Sequence, residues 1–449
     1  MSRTVVIAGG GAAGAAAALA AAAAGARVRL VRRALGATAL SSGAVDLAGQ
    51  DCELAGDPWA GRPSSVTLLE AQQRRERRHP LALAGVDHSL ASDILRRLCA
   101  TVPLLAFRSL DLSPLVLPTD LGTFKSTTLA AHPAVRGDLS GLAGGRIGVV
   151  GFRGYPGHDA AMLAAGYARI ASRGAVDLET APVAVDLFRM RDERLAHPNE
   201  VAQMLDQEAA QGRLADQLAR IVKAEGLTHL LLPPVLGLEE PTTVVDRLTQ
   251  ETGAAVCETL ATPPISVPGL RLQRALDAAM QGAEVGLQQT AAAGPVVEGD
   301  RLCGLELKDG DTLTGDAFVL ATGKFIGGGL VHREGALTEP LLRLPVWIDE
   351  DGPNPRHLGR HLARQVQGPH PLFCAGVRVD GSLRPVNRRG GPVWDNLYAA
   401  GSVIGGYDYL TGRSGLGTAL ITGWIAGTHA AQGGADNCSP VGRVGGADK

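Results

Sequence analysis

The stretch that decides the fold is Thr4–Gly14, TVVIAGGGAAG, close to the start of the sequence. Its first five residues are apolar or β-favouring and predict a buried strand. The run Ala15–Ala24 predicts a helix, since alanine is the best helix former, and the apolar run Val28–Val31 predicts a second strand. A strand, a glycine turn, a helix and a strand within about 30 residues form the βαβ unit that binds dinucleotides.

Three glycines in the turn have the spacing Gly9-x-Gly11-x-x-Gly14. In this fingerprint the first glycine allows a tight turn, and the second lets the backbone approach a pyrophosphate. The third lets the helix pack closely on the strand, and amides at the helix N-terminus then face the phosphates. We therefore expect this turn to hold a dinucleotide cofactor.

The end of the second strand departs from the fingerprint. An acidic residue commonly stands there and binds the ribose of the adenosine half, whereas this chain has Arg32 and Arg33. Arginine in this place is typical of sites for the 2′-phosphate of NADP. The two side chains could equally contact a flavin phosphate or face solvent, so the adenosine half of the cofactor stays open here.

Two later segments favour flavin over nicotinamide. Ala317–Gly323, AFVLATG, resembles the strand and ATG turn of two-domain flavoproteins. Asn396–Ser402, NLYAAGS, resembles their C-terminal strand, in which an acidic residue after the glycine usually holds the ribityl chain; Ser402 supplies a hydroxyl instead. Gly415–Thr418 precedes the last predicted helix and would direct amides at the N1/O2 edge of a flavin, where negative charge develops on reduction.

Further short motifs extend the resemblance over most of the chain. They are Ser41-Ser42-Gly43 with Asp46-Leu47, His79-Pro80, Leu121–Thr127, Pro268–Gln273, Ala321–Val331, Glu339-Pro340 and Gly401–Asp408. With these motifs the sequence resembles the B-type subunits of anaerobic glycerol-3-phosphate dehydrogenases, in the fumarate-reductase-like flavoprotein superfamily. The residues expected to bind the cofactor are Gly9, Gly11, Gly14, Arg32, Arg33, Ser41, Ser42, Gly43, Thr322, Gly323, Gly401, Ser402, Leu416, Gly417 and Thr418.

The resemblance implies a cytoplasmic flavoprotein component that oxidises sn-glycerol 3-phosphate to dihydroxyacetone phosphate and feeds quinone. Its partners would be an FAD-bearing A-type subunit and an iron–sulfur C-type subunit, with the membrane reached only through them. The family description assigns FMN to the B-type subunit, and the missing ribose acid would suit FMN. The intact glycine turn suits FAD, which we favour slightly.

Candidate reacting groups follow from the chemistry of alcohol oxidation, which needs a base for the hydroxyl proton and cations for the phosphate. Asp408, in the glycine-rich loop beside the inferred flavin edge, is the acid–base candidate, although it could simply cap a turn. Lys125 is the candidate for binding an anion. Arg413 and His332 lie in suitable loops without a motif that requires them, and His79 before Pro80 is more typical of a structural residue.

Composition excludes several other classes. The chain has 449 residues, a net charge of −2 and 4% aromatic residues, which disfavours a nucleic-acid partner. Its six cysteines form no C-x-x-C pair, so we expect no metal or iron–sulfur site and a reducing compartment. The uncharged stretch Thr4–Ala26 is too rich in alanine and glycine for a membrane span.

We predict an α/β fold: a Rossmann-like flavin-binding domain built from discontinuous segments, with an inserted α/β domain and a cap region. Residues 36–144 look irregular and rich in turns. The predicted boundaries are 1–50, 263–330 and 370–435 for the flavin-binding domain, 51–144 and 331–369 for the cap, 145–262 for the inserted domain and 436–449 for a flexible tail.

Two other functions remain open from the sequence. The chain could serve as an electron relay or scaffold that passes electrons from the substrate site of a partner subunit. It could also be a free-standing flavoprotein oxidoreductase of another substrate, because this fold hosts many reactions.

Overall fold

The computed structural model describes residues 2–48, 64–173, 177–187, 196–260, 266–348, 355–365, 368 and 370–433. The tail predicted over 436–449 lies outside the described residues, as do Cys52 and Cys438. The described residues form twelve α-helices: α1 Ala12–Ala23, α2 Ser65–Arg75, α3 Pro80–Leu83, α4 His88–Thr101, α5 His132–Val135, α6 Leu139–Leu142, α7 Ala160–Arg173, α8 Pro198–Leu205, α9 Glu208–Glu225, α10 Pro241–Thr252, α11 Val267–Gly282 and α12 Gly415–Gln432.

Twenty strands lie in the same described part of the chain. They are β1 Thr4–Ala8, β2 Arg27–Val31, β3 Leu105–Phe107, β4 Leu115–Pro118, β5 Phe124–Thr127, β6 Leu129–Ala131, β7 Arg146–Phe152, β8 Glu179–Val185, β9 His229–Leu232, β10 Ala255–Glu258, β11 Gly286–Gln288, β12 Ala292–Glu298, β13 Arg301–Leu307, β14 Thr312–Thr314, β15 Ala317–Leu320, β16 Val331–Arg333, β17 Ala336–Thr338, β18 Val346–Trp347, β19 Gly376–Val377 and β20 Leu397–Ala399.

The main sheet has five parallel strands in the order β11-β2-β1-β15-β20. The central strand β1 is apolar because it is buried on both faces of the sheet, and Val5, Val6 and Ile7 are fully buried. Strand order reverses between β1 and β15, so the carboxyl ends of these strands form the crevice in which doubly wound folds bind ligands.

The alanine-rich helix α1 packs against α12 at very short range. A Cβ atom built on Gly423 would lie 2.2 Å from the carbonyl oxygen of Ala13, and one on Gly427 would lie 2.1 Å from that of Ala17. Only glycine on α12, facing small residues on α1, allows this approach. The composition of Ala15–Ala24 therefore reflects close helix packing beneath the sheet.

A second parallel sheet lies in the inserted region, with four strands in the order β10-β9-β7-β8. Helices α7, α8, α9 and α10 connect or cover these strands. The apolar cluster of this sheet includes Val150, Leu214, Leu230 and Val256 and is separate from the main cluster. An α/β fold with an inserted α/β unit, as predicted from the sequence, is therefore confirmed.

Part of the region assigned to a cap packs into the main core. Leu69 on α2 and Ile94 and Leu95 on α4 belong to the same buried cluster as the main sheet. The interpretation of 36–144 as irregular is wrong over α2 and α4, and the buried apolar residues of α4 lie at helical spacing. The exact domain boundaries stay a prediction.

Within the part of the chain that the structure describes, no helix is both long enough and apolar enough to cross a bilayer.

Candidate functional site

A cavity of about 830 Å³ lies at the carboxyl edge of the main sheet. This volume falls within the range of small-molecule and cofactor sites. Its walls come from the turns after β1, β15 and β20, from the residues after β2 and from the N-terminus of α12. Three glycine-containing segments that are far apart in the sequence therefore meet around one space.

The glycine turn after β1 allows both close packing and close approach. A Cβ on Gly9, whose φ is 113°, would lie 2.2 Å from the carbonyl oxygen of Ala321, and one on Gly14 would lie 1.8 Å from that of Gly9. A Cβ on Gly11 meets only Thr38 Oγ1, at 3.2 Å, and otherwise faces the cavity. The first and third glycines thus serve the packing, while the second leaves room for a ligand.

Nine of the fifteen expected cofactor residues line the cavity: Gly9, Gly11, Arg32, Arg33, Ser41, Thr322, Gly323, Ser402 and Leu416. The other six, Gly14, Ser42, Gly43, Gly401, Gly417 and Thr418, do not line it. Gly401 packs on the side chain of Ala13, and Gly417 packs on the carbonyl of Asp46, where a Cβ would lie 2.1 Å from the oxygen. Their contribution to cofactor binding stays a prediction.

Every charged side chain that lines the cavity, among the residues described, is cationic. These are Arg32, Arg33, Lys308, Lys324 and Arg333, and no carboxylate accompanies them in the wall. A wall of this kind attracts an anionic ligand through its local charge, although the net charge of the chain is −2.

Arg32 has a partner that the sequence did not reveal. Its guanidinium binds both carboxylate oxygens of Asp277, at 2.6 and 2.8 Å. Asp277 lies on α11, and Gln273 of the same helix bonds Asp277 and the carbonyl of Gly10. The Arg32 charge is therefore compensated within the protein, and this geometry does not support Arg32 as a free ligand of a 2′-phosphate.

The residues fit a flavin dinucleotide. The cavity reaches from the end of β2, across β1, β15 and β20, to the N-terminus of α12. Neighbouring strands lie about 4.8 Å apart, so a ligand crossing this edge is extended. The glycine turn and the cations would hold a pyrophosphate near β1, and the amides at the start of α12 would face the flavin ring.

The two catalytic candidates do not line the cavity. Asp408 Oδ1 accepts hydrogen bonds from the amides of Leu410 and Thr411, which is the turn cap considered from the sequence. Its Oδ2 is buried and has no hydrogen-bond partner. Lys125 forms an ion pair with Asp46, whose backbone contacts Gly417. Their catalytic roles stay predictions.

The other three candidates differ in their surroundings. His332, on β16, and Arg413 are exposed, and Arg413 has a φ of 49°. His79 is fully buried, and its Nδ1 accepts a hydrogen bond from the amide of Leu81 at 3.2 Å. Burial lowers the pKa of His79 to about 4, so at neutral pH the ring is uncharged and carries its proton on Nε2.

Several buried polar atoms near the start of α12, outside the cavity lining, have no hydrogen-bond partner in the protein. Gln72 Nε2 bonds Ser414 Oγ at 3.5 Å, and the ring of His79 packs edge-on against Tyr407 at 4.9 Å. Buried polar atoms are normally hydrogen-bonded, so each partnerless atom can still take a hydrogen-bond partner. Atoms without a protein partner here are Asp46 Oδ1, Gln72 Oε1, His79 Nε2, Tyr407 Oη, Asp408 Oδ2 and Thr418 Oγ1.

Lys324 is a residue of the cavity wall that reasoning from the sequence missed. It directly follows the ATG turn, is only 4% exposed and lines the cavity together with Tyr409. The signal was present in the sequence, because Lys324 stands within Ala321–Val331, but a lysine after a glycine turn usually points into solvent.

This fold and this cavity define an α/β protein that binds a dinucleotide at a glycine turn. The chain belongs to the FAD binding domain family, whose model matches residues 4–417. It is therefore a flavoprotein of a flavin-dependent oxidoreductase family with an FAD-type cofactor, and the preference for FAD over FMN is confirmed at this level.

Curated relatives support the resemblance found in the motifs. The probable B subunit of the anaerobic glycerol-3-phosphate dehydrogenase of Halobacterium salinarum is 33% identical, over 91% of this chain and 93% of its own. The B subunit of the anaerobic glycerol-3-phosphate dehydrogenase of Vibrio cholerae is 28% identical over 90% of each chain. The resemblance stated from the sequence is thereby confirmed.

Solved structures are more distant. A 3-ketosteroid Δ1-dehydrogenase from Sterolibacterium denitrificans aligns over 96% of this chain and 100% of that one, with 13% identity and a TM-score of 0.43. The quinol fumarate reductase chain FrdA of E. coli covers 96% of this chain and 70% of its own, with 11% identity and a TM-score of 0.40. Scores this low add nothing to the fold derived from the strand order.

Proposed function

We propose that this chain takes part, as the flavin-bearing B-type component of a complex, in oxidising sn-glycerol 3-phosphate to dihydroxyacetone phosphate. The observation that carries the proposal is the match to relatives named for this enzyme over about nine-tenths of both chains. Electrons would pass to quinone through partner subunits, one bearing FAD and one bearing iron–sulfur centres.

Residues at the two ends of the cavity would bind different parts of the cofactor. Gly9 and Gly11 would hold the pyrophosphate of FAD against the turn after β1, and Arg33 would add charge at the adenosine end. The amides that begin α12 would stabilise negative charge at the far end. When bound, the flavin supplies the acceptor for the hydride that leaves the alcohol carbon.

The substrate would lie at the flavin-ring end, beside the partnerless polar atoms described above. The Lys125–Asp46 pair stands behind the start of α12, because the Asp46 backbone packs on Gly417. Lys125 is proposed to attract the phosphate of the substrate, and Asp408 is the carboxylate that the sequence nominated to take the hydroxyl proton.

Rapid anaerobic mixing tests the proposal. The purified holoprotein without partner subunits is mixed with sn-glycerol 3-phosphate, and visible flavin absorbance is followed. Loss of absorbance faster than with glycerol or with the enantiomer sn-glycerol 1-phosphate supports the proposal, because these controls lack the phosphate or the correct configuration. Equal, slow loss with all three compounds would contradict it.

The relay alternative rests on a specific observation, since neither Asp408 nor Lys125 lines the cavity. In that case the isolated chain stays oxidised in substrate, but its flavin is reduced once the FAD-bearing partner is added. A free-standing oxidoreductase would instead purify from its native cell without an iron–sulfur protein.

A further inference from the structure

Lys324 is an unusual lysine for its position. It follows Gly323 in the turn after β15 and lines the cavity at the end that holds Tyr409 and Leu416. The residue is 4% exposed, whereas lysine is almost never fully buried without an ionic partner. A buried amine in a cofactor cavity has a limited set of uses, of which proton transfer and anion binding are the commonest.

The surroundings of its Nζ are polar but contain no salt bridge among the described residues. Nζ donates a hydrogen bond to the carbonyl oxygen of Phe373. It lies 5.6 Å from the ring centroid of Tyr407 and 5.4 Å from that of Tyr409, on whose faces a cation is attracted. A neutral amine that donates to Phe373 keeps its lone pair for a second group.

Burial sets the ionisation of this amine. Loss of water lowers the pKa of Lys324 to about 7, and the nearby Cys374 and Asp408 only partly oppose that shift. The tyrosines on either side remain protonated, because burial raises the pKa of Tyr407 and of Tyr409. At neutral pH, Lys324 is therefore the group of this cluster that exchanges a proton readily.

We propose that Lys324 Nζ accepts the hydroxyl proton of the alcohol substrate in the flavin site. The inference rests on the proposed function and replaces Asp408 as the proton acceptor. The O–H bond breaks and its proton forms an N–H bond on Nζ. The electron pair left on oxygen forms the carbonyl as the hydrogen on carbon leaves with its own pair to the oxidant of the site.

The geometry favours Lys324 over the two groups nominated from the sequence. Asp408 Oδ1 already accepts hydrogen bonds from two backbone amides, and Asp408 does not line the cavity. Lys125 is held by Asp46 in an ion pair and also stands outside the wall. Lys324 lines the cavity, and its hydrogen bond to Phe373 still leaves it able to accept a proton. Asp408 then acts through its charge on Lys324.

A titration that needs no turnover tests the ionisation of Lys324. The sequence has five lysines, Lys125, Lys223, Lys308, Lys324 and Lys449, so protein carrying lysine labelled with ¹³C at Cε gives few signals. Comparison with Lys324→Arg assigns the signal of interest in the FAD-loaded protein. We expect that signal to titrate near pH 7; titration of Lys324 above pH 9 would overturn the proposal.

Kinetics then test the role in proton transfer. We expect Lys324→Met to slow flavin bleaching by the substrate about 100-fold or more, the range of general base catalysis. The wild-type rate should rise through pH 7, and the rate of the variant should be flat from pH 6 to 8. Lys324→Arg should not restore the rate, because a guanidinium stays protonated. The exposed Lys223→Met serves as the control and should keep the wild-type rate within twofold.

Three outcomes separate the possibilities. A Lys324→Met protein that keeps its flavin and bleaches within threefold of wild type overturns the inference. A variant with normal kcat and raised KM overturns it too, since that assigns Lys324 to phosphate binding. If wild-type protein ignores sn-glycerol 3-phosphate, the proposed function fails, and the NMR titration still decides whether Lys324 is a proton acceptor poised near neutral pH.

Discussion

The two parallel sheets have similar topology but differ at their carboxyl edges. The carboxyl edge of the main sheet borders the cavity and is called the open edge; that of the inserted sheet is occupied by buried side chains and is called the closed edge. In each, a central strand runs into a turn and a helix at its carboxyl end: β1 into α1, and β7 into α7. The turn after β1 carries Gly9, Gly11 and Gly14 and borders the cavity. The turn after β7 carries the side chains of Tyr155 and His158, which are 9% and 3% exposed.

Side chains fill the edge of the inserted sheet. His158 Nδ1 lies 3.2 Å from Asp120 Oδ1, and the hydroxyl of Thr259 bonds the same oxygen. At the end of β10, Glu258 forms a two-point ion pair with Arg271 of α11, at 2.7 and 3.1 Å. These contacts join the inserted sheet to the flavin-binding region.

The difference teaches that topology supplies the crevice, while the residues of the first turn decide whether a ligand can enter it. Both sheets reverse strand order beside the central strand. A cofactor can reach the backbone of the main sheet because Gly11 has no Cβ there. Among the described residues, the corresponding place in the inserted sheet holds buried side chains such as Tyr155 and Leu236.

The largest effect is expected from closing the space between α1 and β1. A Cβ on Gly14 would lie 1.8 Å from the Gly9 carbonyl oxygen, and the contact is backbone, which cannot turn away. We predict that Gly14→Val lowers the free energy of unfolding by more than about 4 kcal/mol, the range of severe core disruption. Urea unfolding followed by tryptophan fluorescence measures it.

The matched control for Gly14 lies in the turn of the inserted sheet. A Cβ on Gly157 would approach the Tyr155 ring at 3.3 Å, which a small side-chain shift relieves. Gly157→Ala should change stability by less than about 1 kcal/mol. Equal losses in the two variants would show that the two turns do not differ in tightness.

Breaking the closed edge should have the next largest effect. In Arg271→Met the carboxylate of Glu258 stays buried without its partner, which costs about 3–5 kcal/mol. The double variant Arg271→Met with Glu258→Leu should recover at least half of that loss, because an apolar pair replaces the buried charges. Urea unfolding of wild type, Arg271→Met, Glu258→Leu and the double variant forms the cycle. A double variant as unstable as Arg271→Met would indicate packing damage rather than an unpaired charge.

The open edge could be predicted from the sequence, and the closed edge could not. Glycines at fixed spacing after a strand report a backbone requirement, so the turns at Gly9, Gly323 and Gly401 all carry a local signal. The ion-pair partner of Arg32, Asp277, lies 245 residues away on α11, and no local sequence pattern predicts that the two side chains pair. The same holds for Asp120 and His158, which meet only once the inserted sheet has folded.

Two of the missed features depend on burial that the sequence does not display. Helix α2 buries a single large apolar residue, Leu69, so its packing on the main core becomes evident only in the folded chain, whereas the apolar residues of α4 do lie at helical spacing. Lys324 stands within the motif Ala321–Val331, but the motif does not show that its amine is buried. Contacts made across long sequence separations decide such properties, and a single sequence does not display them.

Two buried histidines extend the comparison to pH. His158 at the closed edge has a carboxylate beside it, whereas His79 near the open edge contacts the ring of Tyr407. The pKa of His79 is lowered from 6.5 to about 4 by burial, so between those pH values the unfolded chain binds the proton and the folded chain does not. Stability is therefore lost as pH falls from 6.5 to 4 and is constant, for this residue, above and below that window.

Wild type loses unfolding free energy as pH falls from 6.5 to 4, and we predict that this loss is about 3 kcal/mol smaller in His79→Asn. Asparagine can still accept the amide hydrogen of Leu81 in a local turn but carries no titrating group. Urea unfolding at the two pH values measures the difference against wild type. The exposed His332→Asn is the control, and an identical acid slope in wild type and His79→Asn would refute the role of His79.

The smallest effect is the most direct test of the open edge. Gly11 has an extended conformation, with φ −78° and ψ −171°, and its Cβ position meets only Thr38 Oγ1 at 3.2 Å. The folded apoprotein can therefore accommodate a side chain at position 11, but that side chain would occupy the space that a bound pyrophosphate needs. We predict that Gly11→Val weakens FAD binding by the apoprotein about thirtyfold, or about 2 kcal/mol, in a fluorescence titration.

The unfolding free energy of the Gly11→Val apoprotein should stay within about 1 kcal/mol of wild type, since the added carbon enters the cavity rather than the core. This separates binding from folding at one turn: Gly14 is needed for the protein to pack, and Gly11 for the ligand to approach. Unchanged FAD affinity in Gly11→Val would mean that the pyrophosphate lies elsewhere. The absence of a Cβ after β1 would then not be what distinguishes the open edge from the closed one.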